Sequence, residues 1–182
     1  MNLSQKMSLT TAVLLIFSVF AQAKTGPSAA HEHRSHGAHK HGAAKMAIAF
    51  EGATGQINFE VPSEGIYGFE YAPKKDSDKK KQASGLEKLE KEIAQMVQFD
   101  SSLKCVISKD KIEVDQEAGG KHSDVDAQFK VVCEKSPMNS TIVFNVQKSF
   151  TNIKDVDVQV IVDDLQKSIE AQKNDTRIEL KK

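Results

Sequence analysis

Alternation of apolar and polar residues dominates the chain from Met46 onward. Met46, Ile48 and Phe50 keep a period of two, Glu51 to Gly55 is rich in turn residues, and Ile57, Phe59 and Val61 resume the period, which predicts a hairpin. Pro62-Ser63-Glu64-Gly65 ends it, and Tyr67 to Tyr71 is predicted as a third short extended piece. The period then changes once. Leu86, Leu89, Ile93, Met96 and Val97 follow three-four spacing with Lys and Glu between them, predicting one main α-helix over about 77–98 with Asp76 or Ser77 as its cap.

After Phe99 the period of two returns. Cys105/Ile107 and Ile112/Val114 suggest a hairpin around Lys109-Asp110, and Glu117 to Gly120 reads as a loop. A long strand is expected from His122 to Cys133, another through Ile142, Phe144 and Val146, and another from Val156 to Val162. Asp163-Asp164 is a turn. Leu165 to Ala171 fits a helix or a returning strand, with the strand preferred, and Arg177 to Leu180 a final edge strand. The expected fold is therefore α+β: a mainly antiparallel β-sheet carrying one main helix, with most phenylalanines on core-facing positions.

Residues 1–23 do not join this pattern. Lys6 precedes a 13-residue apolar run, Ser8 to Phe20, and Ala21-Gln22-Ala23 has the small-x-small form of a signal-peptidase site. The run is too short for a membrane span, so a signal peptide cleaved after Ala23 and a periplasmic, soluble product are expected. Lys24 rather than Cys at the cut argues against a lipid anchor. Residues 24–43 are poor in aliphatics and rich in His, Gly and Ala, which predicts a flexible arm, and residues 44–182 form a single domain. In an oxidising compartment, Cys105 and Cys133 are expected to form a disulfide. Two zinc thiolates are the competing reading, without a CxxC spacing to support them.

Charge narrows the partners. The chain has 25 basic and 25 acidic residues, and removing Lys6 with the signal leaves 24 − 25 = −1. That balance, with no Trp and two Tyr, provides no field or stacking surface for nucleic acid and no pull toward an anionic membrane. The balance treats the histidines as neutral, and they are unevenly placed. His31, His33, His36, His39 and His41 lie within eleven residues, at spacings that let a flexible chain wrap two or three imidazoles around one Zn, Cu or Ni ion. A solvated polar linker is the alternative reading of that tract.

His39 and His41 would project to one side if the first strand starts there, and His122 opens the long strand with Asp124 two residues on. Adjacent strand starts would make a preformed His/His/carboxylate site, although His122 by itself reads as a surface loop histidine. Glu70, between Phe69 and Tyr71, is either a functional carboxylate or an outward strand residue. Gly119-Gly120-Lys121-His122 lacks the Ser/Thr and the first Gly of a phosphate loop, and neither HExxH nor GxSxG occurs. No nucleophile-base pair can be assembled, so an enzyme is not expected.

Together, His39-Lys40-His41-Gly42 leading into Ala47-Ile48-Ala49, Gly68-Phe69-Glu70-Tyr71-Ala72-Pro73, the Lys/Glu helix, Cys105, His122-Ser123-Asp124 and Cys133 resemble the periplasmic zinc-binding proteins of the ZrgA type, which accompany bacterial zinc-uptake transporters. The similarity runs over roughly residues 39–182. It implies a single exported domain that binds Zn2+ and assists its delivery to an import system, with His39, His41, His122 and Asp124 as ligands and Glu70 as their neighbour. It departs at Tyr71, where the family pattern has a histidine, and in the segment Asp115 to Lys121, which carries no histidine. The N-terminal arm would then supply the missing imidazoles. Two further readings stand beside this one: an envelope interaction module whose sheet edge binds a protein, with metal incidental, and a copper or nickel chaperone.

Overall fold

The computed structural model describes residues 42–182. The expected signal segment, nearly all of the expected arm, and the ligand candidates His31, His33, His36, His39 and His41 lie outside the described residues.

Strict alternation produces the first hairpin. β1 (Ala43–Glu51) buries Ala44, Met46, Ile48 and Phe50, and β2 (Thr54–Pro62) buries Ile57, Phe59 and Val61. They pair antiparallel from Lys45↔Glu60 to Glu51↔Thr54. The chain continues through a one-turn helix α1 (Glu64–Tyr67), the long helix α2 (Asp76–Met96) and a short strand β3 (Val97–Phe99). After a 3-10 turn at Ser101–Leu103 come β4 (Val106–Gln116), β5 (Ser123–Val132), β6 (Thr141–Phe144) and a second one-turn helix α3 (Val146–Ser149). β7 (Asp155–Val162), β8 (Leu165–Glu170) and β9 (Thr176–Glu179) complete the chain.

A six-stranded sheet has the order β4-β5-β2-β1-β7-β8, and a three-stranded sheet the order β3-β6-β9. The inward residues of the large sheet form one core with Leu89, Ile93 and Met96 of α2 and with Ile142, Phe144 and Ile178 of the small sheet. Each inward side chain of Leu, Ile or Phe size contributes about 1.5–3 kcal/mol by leaving water. No described helix is long and apolar enough to cross a membrane.

Several expectations need correction. The sheets are mainly antiparallel as expected, but the large one is mixed, because β1 and β7 run parallel from Ala43↔Asp155 to Phe50↔Val162. Alternation identifies the buried face of a strand but carries no information on which distant strand lies beside it. The stretch from Tyr67 to Tyr71 is not a strand: Glu64 to Tyr67 is helical, and Gly68 at φ 90° turns the chain out of it. Lys109-Asp110 is not a hairpin turn. β4 runs straight through it with a register shift between Lys109 and Lys111, because the ten residues of β5 offer a partner along its length.

Val146 belongs to α3 rather than to β6, and is buried either way. The long helix stops at Met96, and Val97 pairs with Phe144 in the small sheet. Its N-cap position is Lys75, with no side-chain cap, so Asp76 and Asp78 act in the first turn on the helix dipole instead of as caps. The structure bears out the long strand β5, the strand reading of Leu165 to Glu170 and the edge strand at Thr176 to Glu179.

The Cys105–Cys133 disulfide is formed, and it joins the residues just outside the pair Val106↔Val132. Closing a loop of this separation contributes about 3.5 kcal/mol in the chain-entropy account. The double variant Cys105→Ser/Cys133→Ser is therefore expected to lose about that much unfolding free energy in urea, with an unchanged native far-UV spectrum.

Gly85 lies in the interior of α2, where glycine costs about 1 kcal/mol relative to Ala. A Cβ there would meet Tyr67 Cβ at 2.8 Å and the Ile66 carbonyl at 3.0 Å, so α1 packs against bare helix backbone. Gly85→Ala is expected to destabilise by about 1–3 kcal/mol of overpacking despite its better propensity. A gain in melting temperature would show that the two helices do not depend on this close approach.

Candidate functional site

The segment after α1 is held by side chains on both sides of it. Gly68 closes α1, and the aromatic rings that follow stack in series. Tyr67 meets Phe69 edge-on at 4.7 Å, and Phe69 stacks on Tyr71 at 4.6 Å. Tyr71 leaves half of its surface in solvent, at 50% exposure. Glu70, between two of these rings, is buried at 8% exposure.

Two serines join this segment to the large sheet. Ser63 follows the end of β2 and Ser123 begins β5, and their hydroxyls lie 2.6 Å apart. The Ser63 hydroxyl donates to the Phe69 carbonyl at 2.9 Å, and the Ser123 hydroxyl donates to the Glu70 carbonyl at 2.8 Å. Two hydroxyl protons thus serve three short contacts, so the protons are shared among them. Gln82 Nε2 donates to the Tyr67 hydroxyl at 3.3 Å, leaving the Tyr67 proton for Ser123 Oγ, 3.5 Å away.

His122 is fixed from its backbone and from its ring. Its carbonyl accepts from Gln116 Nε2 at 2.6 Å and from the Glu117 backbone N–H at 2.9 Å. Gln116 Nε2 also lies 3.3 Å from the Glu70 carbonyl, so one amide ties both residues together. The ring Nδ1 is 2.6 Å from Glu70 Oε2. An ionised carboxylate can only accept, so the proton sits on Nδ1 and the lone pair of the neutral ring falls on Nε2. The His122 side chain is 45% exposed, against 8% for Glu70. A buried carboxylate behind a solvent-facing imidazole is the arrangement that fixes tautomer and ring direction in metal-ligating histidines and raises their basicity.

Asp124, two residues along β5, is also buried, at 4% exposure, and pairs in register with Pro62 and Asp115. Of the residues singled out in the sequence, Glu70 and His122 are in direct contact, and Asp124 follows on the same strand. Among the described residues, no group of three or more His, Cys, Asp and Glu side chains converges as a metal-holding cluster. Cys105 and Cys133 are bonded to each other and so are not zinc ligands. Sequence reasoning missed Ser63 and Gln116 and gave Ser123 no role beyond its place in His122-Ser123-Asp124, because these side chains act only by meeting at the ends of β2, β4 and β5. It also treated His122 alone as a loop histidine, because nothing in the spacing shows Glu70 lying behind it.

A family model described as ZrgA family zinc uptake protein matches residues 38–180. The chain belongs to the ZrgA family of zinc uptake proteins. That match takes in both Glu70 and His122, and the ZrgA fold seen here holds them together through the serine pair and Gln116. No curated protein matches the chain.

The tautomer assignment is open to direct measurement. In metal-free protein at pH above the imidazole range, nitrogen-15 NMR is expected to find His122 protonated on Nδ1. Glu70→Ala should abolish that preference. An Nε2-protonated ring in the unaltered chain would contradict the geometry.

Proposed function

We propose that this ZrgA-family chain is a non-enzymatic periplasmic zinc-binding protein that captures Zn2+ and assists its passage to an import transporter. The observation that carries the reading is the Glu70–His122 pair, His122 Nδ1 to Glu70 Oε2 at 2.6 Å, with the imidazole 45% exposed and the carboxylate 8% exposed. Membership of a zinc uptake family supports the identity of the ion. Neutral imidazole and carboxylate are both zinc donors, with ligand distances of about 2.0–2.2 Å. His122 is the first ligand, Glu70 orients it, and Asp124 is the next donor along the strand. His39 and His41, with His31, His33 and His36 of the exported arm, supply the remaining imidazoles to the same ion or to further ions.

A zinc titration against a competing chelator dye tests this on chains beginning at Lys24. Glu70→Gln is expected to weaken binding about ten- to a hundredfold, as loss of an orienting carboxylate does elsewhere. His122→Ala should weaken it further, and deletion of residues 24–41 should lower the number of ions bound. Affinity no tighter than micromolar in the unaltered chain, unmoved by any of these changes, would sink the proposal. Copper or nickel outcompeting zinc in the same titration would reassign the cargo.

Zinc binds only deprotonated donors, so affinity is expected to fall as the solution is made more acidic. Isothermal titration at several pH values reads this directly. Osmotic-shock release and N-terminal sequencing test the location; a mature terminus at Lys24 in the released fraction is expected.

A further inference from the structure

Most of the surface pairs its lysines. Lys45, Lys104, Lys109, Lys130 and Lys182 each meet a carboxylate from another segment, and Lys91 meets Glu87 one turn back on α2. The start of α2 departs from this habit. Lys74, Lys75, Lys79, Lys80 and Lys81 are all exposed, and among the described residues only Lys79 has an ion pair, with Asp76 at 3.7 Å. Four residues beyond Lys79, Lys80 and Lys81 stand Ala83, Ser84 and Gly85, where carboxylates would pair along the helix. Cations at the first turn also oppose the helix dipole. The stability of α2 therefore does not account for this charge.

The same end of the domain carries a further lysine and an exposed ring. A Cβ on Gly120 would lie 4.0 Å from that of Ala72, so the turn between β4 and β5, with Lys121 exposed on it, rests against the segment that leads into α2. Tyr71 stacks on Phe69, Phe69 meets Tyr67, and the Tyr67 hydroxyl accepts from Gln82 of α2, so the half-exposed Tyr71 ring stands on a fixed base. The exposed or half-exposed carboxylates on α2's first turn and on the β4–β5 turn are Asp76, Asp78 and Glu117, against six lysines, a balance of 6 − 3 = +3. Glu70 is buried against His122. Asp115 alternates with the core-packed Val114 and so lies on the face of β4 turned away from α2.

We infer that this cationic end, with Tyr71 as its anchor, is a docking surface for an acidic protein. A rigid aromatic side chain among polar neighbours is where binding energy concentrates in protein interfaces, and complementary charge steers the encounter. An anionic bilayer is the poorer match, because membrane-surface binding also needs apolar side chains to insert. Tyr71 is the one large hydrophobic exposed at this end among the described residues; Val106, Val132 and Ile161 lie toward the disulfide end of the large sheet. The docking is a contact of the metal-free chain and does not rest on the zinc reading.

The test uses the chain beginning at Lys24, stripped of metal by chelator, with a short fluorescent peptide of alternating Glu and Asp as the probe at low salt. Lys79→Gln/Lys80→Gln/Lys81→Gln is expected to weaken peptide binding about tenfold, with a melting temperature unchanged or raised. Tyr71→Ala should weaken it several-fold. Lys135→Gln/Lys167→Gln/Lys173→Gln removes the same charge elsewhere and should leave the affinity within about twofold of the unaltered chain. All three variants alter side chains outside the buried core, so folding does not confound them. Equal losses in the two triple variants, or no binding of the peptide by the unaltered chain, overturn the inference. So does tighter binding to phosphatidylglycerol vesicles than to the peptide, which would assign the patch to a membrane surface.

Discussion

The pairing of β5 with both β2 and β4 is the constraint on which the other features depend. Its inward residues Val125, Ala127, Phe129 and Val131 are all buried, so a slip of one residue would expose the whole set and bury Asp126, Gln128 and Lys130. With the register held in this way, Ser123 falls beside Ser63, and His122 falls where the segment after α1 arrives. The disulfide clamps the same register from the opposite end of β4 and β5.

The candidate site is built by convergence rather than by a motif. Glu70 comes from the segment behind α1, His122 from the loop before β5, Gln116 from the end of β4 and Ser63 from the end of β2. None of these pieces is locally unusual. Their geometry is set by packing: the three aromatic rings hold the odd-numbered side of the segment, and Glu70 occupies the other. Each hydrogen bond contributes only about 1 kcal/mol, but several share atoms, so the loss of one loosens its neighbours.

Legibility in the sequence followed the length of each signal. β1, β2, β5 and β7 were readable because their strands extend over eight residues or more, and α2 because its spacing repeats over about three turns. Short pieces were misread: four residues suffice neither to separate α1 and α3 from extended chain nor to fix a cap at Lys75. The parallel neighbour of β1 lies more than a hundred residues away, beyond the reach of any local pattern. His122, Asp124 and Glu70 were named as chemistry-bearing residues, but the contact between Glu70 and His122 is a property of the folded chain alone.

The disulfide is remote from the candidate site. It closes at the Val106↔Val132 end of the β4–β5 pair, whereas His122 sits beyond the Asp115↔Asp124 end, about 30 Å of strand away. Fraying at the thiol end of a reduced chain would leave the paired strands near His122 intact. The cystine therefore acts on the Glu70–His122 corner only through the shared register of β4 and β5, not by direct contact.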